Sequence, residues 1–172
     1  MLAATIAMTT LGGCMSDEKK EAAKNAPLPR MSHEGAQTWA RNFTERLAKS
    51  IGEPVGPRTP DARFLKCGGK NGETATDDRF ILMYSAWVKI PAERHNEAAR
   101  KLRKILVDEG YTITTERSYK APKQSMILEA RPKKGGFFIA IQSAAVKGEF
   151  PEITLGVDSP CMIPPGATQS HQ

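Results

Sequence analysis

The chain has 172 residues, of which 40% are hydrophobic and 26% charged, and its formal net charge is +6. About 130 residues between Met31 and Met162 have the size of one domain with a single core, and no internal repeat is visible. The three cysteines and three histidines include no CxxC pair and no cluster at ligand spacing, which argues against a metal or redox site. The aromatic residues follow core patterns and do not alternate with basic ones, which argues against nucleic-acid binding.

The first 13 residues carry no charged side chain and are mostly apolar, as in the hydrophobic region of an export signal. A helix of this length rises only about 20 Å and is too short to cross a hydrocarbon core of about 30 Å. The segment ends in Leu11-Gly12-Gly13-Cys14, which resembles the lipobox of bacterial lipoproteins. This resemblance implies cleavage before Cys14 and a lipid anchor on its thiol, on the extracytoplasmic face of the cell membrane. The usual basic residues before the apolar segment are missing, and the alternative is a buried cysteine that ends an ordinary apolar stretch.

The chain after the export signal divides by composition into three parts. Residues 14–30 combine mixed charge, small residues and prolines with almost no apolar side chains, which predicts a flexible tether. Residues 31–162 form the single predicted domain. Residues 163–172, which include Pro164-Pro165-Gly166, are predicted to be a disordered tail.

Two amphipathic helices are predicted from apolar residues at spacings of three and four. The first has Ser32 as its N-cap and ends at Gly52 and Pro54. Its inward stripe contains Ala36, Trp39, Ala40, Phe43, Leu47 and Ile51. The second begins at Pro91, ends at Gly110, and turns Ala98, Leu102, Ile105 and Leu106 inward.

Strands are predicted between and after these helices. Phe80 to Ile90 is apolar at both alternating positions, which predicts a central strand covered over most of both faces. Four alternating segments follow the second helix, at residues 111–117, 125–131, 137–143 and 153–158, and Gly135-Gly136 marks a hairpin between two of them. A short strand is also predicted at residues 63–67. The order predicts an α+β two-layer sandwich, a mostly antiparallel meander sheet with two helices on one face, in preference to a bare β-sandwich.

Two cysteines remain if Cys14 carries lipid. Cys67 and Cys161 are then expected to form a disulfide, because such bonds persist in exported proteins. The bond would close a loop of nearly a hundred residues and connect the last strand to an early one. A metal or redox role is the alternative, but ligands at the required spacing are missing.

Positive charge is concentrated in one part of the chain. Residues 100–134 contain ten basic and four acidic side chains, so this segment carries as much net charge as the whole chain. Eight of them are candidate contacts to an anionic partner: Arg100, Lys101, Arg103, Lys104, Lys120, Lys123, Lys133 and Lys134. They would share one side of the domain if the second helix lies beside the third and fourth strands. The alternative is a solvated surface whose charge serves only solubility.

Three functional hypotheses follow. The first is a non-enzymatic binding module that is anchored by lipid and contacts an anionic envelope polymer or another envelope protein through its basic side. The second is a hydrolase or transferase acting on envelope polymers, with a site assembled only in the fold. The third is a structural or inhibitory partner that binds through a strand edge. No catalytic residue, metal ligand or cofactor is predicted, because no motif with the required spacing occurs; for example, Asp77 and Asp78 look like ordinary exposed loop acids.

In layout, the chain resembles small exported lipoproteins of actinobacteria, such as the LppA-like group. The resembling features are the lipobox at Cys14, the helix and strand segment Ala98 to Ile113 with Gly110-Tyr111 at its turn, and the closing segment Val157-Asp158-Ser159-Pro160-Cys161. The resemblance implies an envelope-anchored domain without an assigned activity, with lipid on Cys14 and a bond between Cys67 and Cys161.

Overall fold

A computed structural model describes residues 26–68, 73–119, 125–144 and 151–170 of the chain. The helices and strands, in chain order, are α1 (His33–Ser50), β1 (Asp61–Lys66), β2 (Phe80–Lys89), α2 (His95–Asp108), β3 (Tyr111–Tyr119), β4 (Ser125–Pro132), β5 (Phe138–Ala144) and β6 (Glu152–Asp158). The strands build one sheet, and both helices pack on one of its faces. The predicted α+β two-layer architecture is confirmed.

Helix α1 begins where the sequence predicts. Ser32 lies just outside it in an extended conformation, and its Oγ accepts a hydrogen bond from the backbone N–H of Gly35 at 3.0 Å. This bond satisfies one of the donors that every helix start leaves unpaired. The predicted stripe faces the sheet, with Ala36, Ala40 and Leu47 fully buried.

The sequence predicts that helix α2 begins at Pro91, but the α-helix begins four residues later. Ala92–Arg94 form a short 3-10 turn first, and the α-helix begins at His95, whose buried ring places Nε2 3.0 Å from the carbonyl oxygen of Ile90. At the other end, Gly110 adopts a φ of 86°, a left-handed conformation that glycine reaches without strain. This turn leads directly into β3.

The strand order across the sheet is β1-β2-β6-β5-β4-β3, and all five pairings are antiparallel. The four strands after α2 form the predicted meander of consecutive hairpins. The last of them, β6, pairs with β2 and therefore lies in the middle of the sheet. β1 and β3 form the two opposite edges, separated by about 24 Å at about 4.8 Å per strand.

Strand β2 differs from its prediction, because only one of its faces is covered. Its residues alternate strictly between buried and partly exposed, with Leu82 and Val88 under the helices and Met83 and Trp87 on the other side. No described element packs on that other side, since both helices lie on the same face of the sheet. Neighbouring side chains shield its apolar groups instead, as Arg58 does by lying 5.7 Å from the Trp87 ring centroid.

The ends of the domain also differ from expectation. Residues 26–30, expected to belong to a flexible tether, and residues 163–170, expected to be disordered, lie against each other. The backbone N–H of Met31 donates to the carbonyl of Ile163 at 3.1 Å, and that of Ile163 donates to Pro29 at 3.0 Å. The Arg30 guanidinium donates to the carbonyl of Ala167 at 3.0 Å. Pairing between distant backbone segments therefore supplies the order that their compositions do not predict.

Candidate functional site

The predicted disulfide is present. Cys67 follows β1 and Cys161 follows β6, with Cα atoms 5.9 Å apart and a sequence separation of 94. Since β2 lies between β1 and β6, the bond fastens the two neighbours of β2 to each other at one end of the sheet. Of the other predicted site residues, Cys14, Lys120 and Lys123 lie outside the described residues.

Four of the predicted basic residues lie together on the exposed side of α2. This set, Arg100, Lys101, Arg103 and Lys104, is called the basic face below. Arg103 pairs with Glu116 of β3 at 2.9 Å, and Lys104 pairs with Asp108 one helical turn on at 2.6 Å. Arg100 and Lys101 form no ion pair or hydrogen bond with other described side chains, so their charges are available to an outside partner.

Lys133 and Lys134 lie elsewhere, in the turn between β4 and β5. Pro132, just before them, pairs with Tyr111, so this turn lies at the end of the sheet where β3 begins. Tyr119 and Ser125, which flank the β3–β4 connection, pair at the other end of the same two strands. The eight residues of β4 separate the two ends by about 26 Å, at about 3.3 Å per residue. The described residues of the predicted basic set therefore belong to two elements, α2 and the β4–β5 turn.

The basic face and the N-terminal segment lie over opposite edges of the sheet. Helix α2 packs on β3 and β4, whereas α1 packs on β2 and β6. The N-terminal segment meets the domain at Ile163, next to Met162, which bridges to Phe80 at the start of β2. The first described residues therefore join the domain on the side away from the basic face.

A stack of aromatic rings, which the sequence assigned simply to the core, lines a groove on the helix side. The Trp39 ring lies between Phe43 and Phe137, with centroid distances of 4.8 and 4.0 Å and nearly parallel planes. Arg46 continues the stack at 5.0 Å from the Phe43 centroid and forms a bidentate ion pair with Glu109. The adjacent groove has a volume of about 330 Å³. In the sequence, the clue to this contact is that Arg46 follows Phe43 by three residues, which places both side chains on the same face of the helix.

Tyr111 also lines this groove, at the start of β3. Burial raises the pKa of its hydroxyl, and the nearby Glu109 carboxylate adds to the rise while Arg46 opposes it. Tyr111 therefore stays protonated and can donate a hydrogen bond into the groove.

Asp77, expected to be an ordinary exposed loop acid, forms an ion pair with Arg79, and both side chains are nearly buried. The two N–O distances are both 2.6 Å, and Asp77 also accepts hydrogen bonds from the backbone N–H and the hydroxyl of Ser170. The Arg79 hydrogen bond is the main reason that the pKa of Asp77 lies well below its ordinary value, and burial opposes it only in part. All of these hydrogen-bond partners are residues of the same domain, so the ion pair between Asp77 and Arg79 has a structural role.

A surface cavity of about 590 Å³ lies at the end of α1. Its lining residues are Glu45, Lys49, Gly52, Glu53, Pro54 and Val55. Glu53 is engaged by Arg94 at 2.6 Å, which leaves Glu45 and Lys49 as the free titratable side chains of this lining. Among the described residues, no group of three or more His, Cys, Asp or Glu side chains is arranged to hold a metal ion.

Comparisons and hydropathy add two findings. No protein-family model matches the chain, and no curated protein shows significant similarity to it in sequence. Within the described part of the chain, none of the helices combines the length and the apolar character needed to span a membrane.

Proposed function

We propose that this protein is an exported, lipid-anchored binding domain, and that its basic face contacts an anionic polymer of the cell envelope. The unpaired charges of Arg100 and Lys101 carry the proposal. Several other basic side chains on the surface are already held in ion pairs, as Arg58 is with Glu152 at 3.1 Å and Arg94 with Glu53 at 2.6 Å. A polyanion gains most from basic groups that do not first have to leave an internal partner.

The position of α2 also supports a polymer as the partner. The basic face lies over the edge of the sheet opposite to the point where the N-terminal segment joins the domain. With lipid on Cys14, the membrane is reached from the β1 edge, and α2 is free to face the envelope beyond it. The disulfide between Cys67 and Cys161 suits an exported protein, because the cytoplasm keeps most thiols reduced.

Binding of isolated anionic wall polymer to neutralised variants tests the basic face. We expect Arg100→Gln/Lys101→Gln to weaken binding about tenfold at low ionic strength, at about 0.7 kcal/mol for each lost charge. Screening should reduce this difference as salt is raised. Stability should stay within about 0.5 kcal/mol of the wild type, because both side chains are exposed.

The matched control is Glu93→Gln/Glu97→Gln, which neutralises two exposed acidic side chains, one in the 3-10 turn before α2 and one in the first turn of α2. It should strengthen binding, since it removes two negative charges from the same side of the domain. Equal polymer affinity in the wild type and both variants at low salt would refute the proposal. The anchor is tested separately by the mass of the mature chain, which should begin at Cys14, carry acyl groups and lack two hydrogens at Cys67 and Cys161.

A further inference from the structure

The strongest exposed apolar feature of the described residues lies on the edge strand β1. Among the described residues, three large apolar side chains are more than about one-third exposed: Phe64 at 37% and Leu65 at 47% on β1, and Val107 at 44% on α2. Phe64 and Leu65 are consecutive, so in a strand their side chains point to opposite sides of the sheet edge. This pair, with one side chain on each face of the exposed sheet edge, is called the apolar corner below.

Basic side chains flank the apolar corner in sequence. Arg63 and Lys66 stand directly before and after it, and both are exposed. Arg63 forms an ion pair with Asp61 at 3.1 Å. The Lys66 ammonium donates a hydrogen bond to the carbonyl oxygen of Asp77 at 2.8 Å. Apolar side chains between basic ones suit the boundary of a bilayer, where the apolar groups enter and the basic ends remain with the lipid head groups.

The N-terminal segment enters the domain at the same corner. His33, the first residue of α1, lies with its ring 4.6 Å from that of Phe64 and 4.0 Å from that of Phe80. A depression of about 230 Å³ beside it is lined by His33, Phe64, Leu65, Lys66, Asp78, Arg79, Phe80 and Pro164. The described chain from Ala26 to Ser32 therefore joins the domain on the side that carries the apolar corner.

The length of that connection limits how far the corner can be from a lipid on Cys14. Twelve peptide steps separate Cys14 from Ala26, which span at most about 40 Å when fully extended. A contact formed within such a short reach is effectively intramolecular, and even a small apolar surface becomes occupied.

From these observations, the geometry points to the apolar corner as a docking surface for the bilayer that holds the lipid anchor. This inference depends on the lipid anchor of the proposed function. Phe64 and Leu65 enter the head-group region, Arg63 and Lys66 contact anionic head groups, and β1 lies against the membrane. The basic face on α2, at the opposite edge of the sheet, is then directed away from the bilayer.

Hydrogen exchange of the mature lipidated protein on vesicles of phosphatidylcholine and phosphatidylglycerol tests the docking. Amides of residues 61–66 should exchange about threefold more slowly than in detergent, while residues 111–117 at the other edge should not change. The variant Phe64→Ser/Leu65→Ser should remain on the vesicles through its lipid but lose this protection. Val107→Ser removes the third exposed apolar side chain and should behave as the wild type.

Three outcomes overturn the inference. The first is vesicle-bound protein whose residues 61–66 exchange as in detergent. The second is protection retained in Phe64→Ser/Leu65→Ser. The third is protection of residues 61–66 in Cys14→Ser without vesicles that grows with protein concentration, which would identify β1 as an interface between two copies of the chain. Failure of the anchor itself is recognised independently, because the mature chain would then carry no lipid and would not remain on the vesicles.

Discussion

Asp77 holds Arg79 and Ser170 together, and this contact fastens the C-terminal segment to the start of β2. Arg79 Nη2 donates both to Asp77 Oδ2 and to the carbonyl oxygen of Ser170, each at 2.6 Å. The side chains of Asp77 and Arg79 are only 7% and 5% exposed. Removing one member of such a pair leaves the other without its partner in a site that water barely reaches.

Asp77→Asn should therefore lower the free energy of unfolding by about 2 to 3 kcal/mol at pH 7. Because the pKa of Asp77 is lowered by folding, its contribution is complete above its ordinary value of 3.8 and is lost as the pH falls below it. Urea denaturation at pH 7 and at pH 3 measures both effects. The neighbour Asp78→Asn is the control and should have little effect; a similar loss in both variants would show that the ion pair is not the cause.

Replacing the disulfide should destabilise the domain strongly. Cys67→Ala/Cys161→Ala opens a loop of 94 residues, and the chain-entropy relation gives a loss of up to about 4.7 kcal/mol for a loop near this length. Denaturation of the wild type with a reductant should approach the same midpoint. A variant as stable as the oxidised wild type would contradict this expectation.

Gly156 of β6 is paired with Ala140 of β5. A Cβ atom at this position would be 2.9 Å from the backbone oxygen of Ala140, which belongs to the neighbouring strand and cannot move freely. Gly156→Ala should therefore cost about 2 kcal/mol of stability. Gly68→Ala is the matched control, since its nearest neighbouring atom would be 3.9 Å away, and thermal unfolding of the two should differ clearly.

Asp158 lies on the uncovered face of the sheet, opposite Met83 on β2 and Phe138 on β5. Burial raises the pKa of its carboxyl group. The folded state therefore holds this proton more tightly than the unfolded state, and stability falls as the pH rises through that pKa. Asp158→Asn should stabilise the protein at pH 7 by less than about 1 kcal/mol. The gain should vanish at pH 3, and a variant that is destabilised at pH 7 would contradict this account.

Trp39 joins α1 to the segment just before β5 through its stacking on Phe137. Trp39→Ala should cost about 2 to 3 kcal/mol, because it removes the central ring from a stack of three. Trp39→Phe retains a ring and should lose less than half as much. Chemical denaturation of both variants compares the two losses, and equal losses would mean that the contacts of the indole matter more than the stack.

Local sequence patterns were sufficient to predict the helices and the strands of the meander. Ser32 as N-cap, Gly110 as the end of α2 and the spacing of apolar residues predicted both helices, since these signals act within one or two turns. Alternation and the Gly135-Gly136 turn likewise predicted the meander. The pairing of Cys67 with Cys161 followed from there being two cysteines left after Cys14, and the structure confirms it.

The tertiary structure decided what depends on contacts between distant residues. Apolar residues at both alternating positions of β2 could not reveal that one face stays uncovered, because coverage depends on where both helices pack. The burial of Asp77 depends on Ser170, which lies 93 residues away in sequence. In the same way, the sequence by itself determined which residues are basic, but the tertiary structure decided that α2 packs over β3 and β4, away from the β1 edge, because the docking of a helix depends on contacts between distant residues.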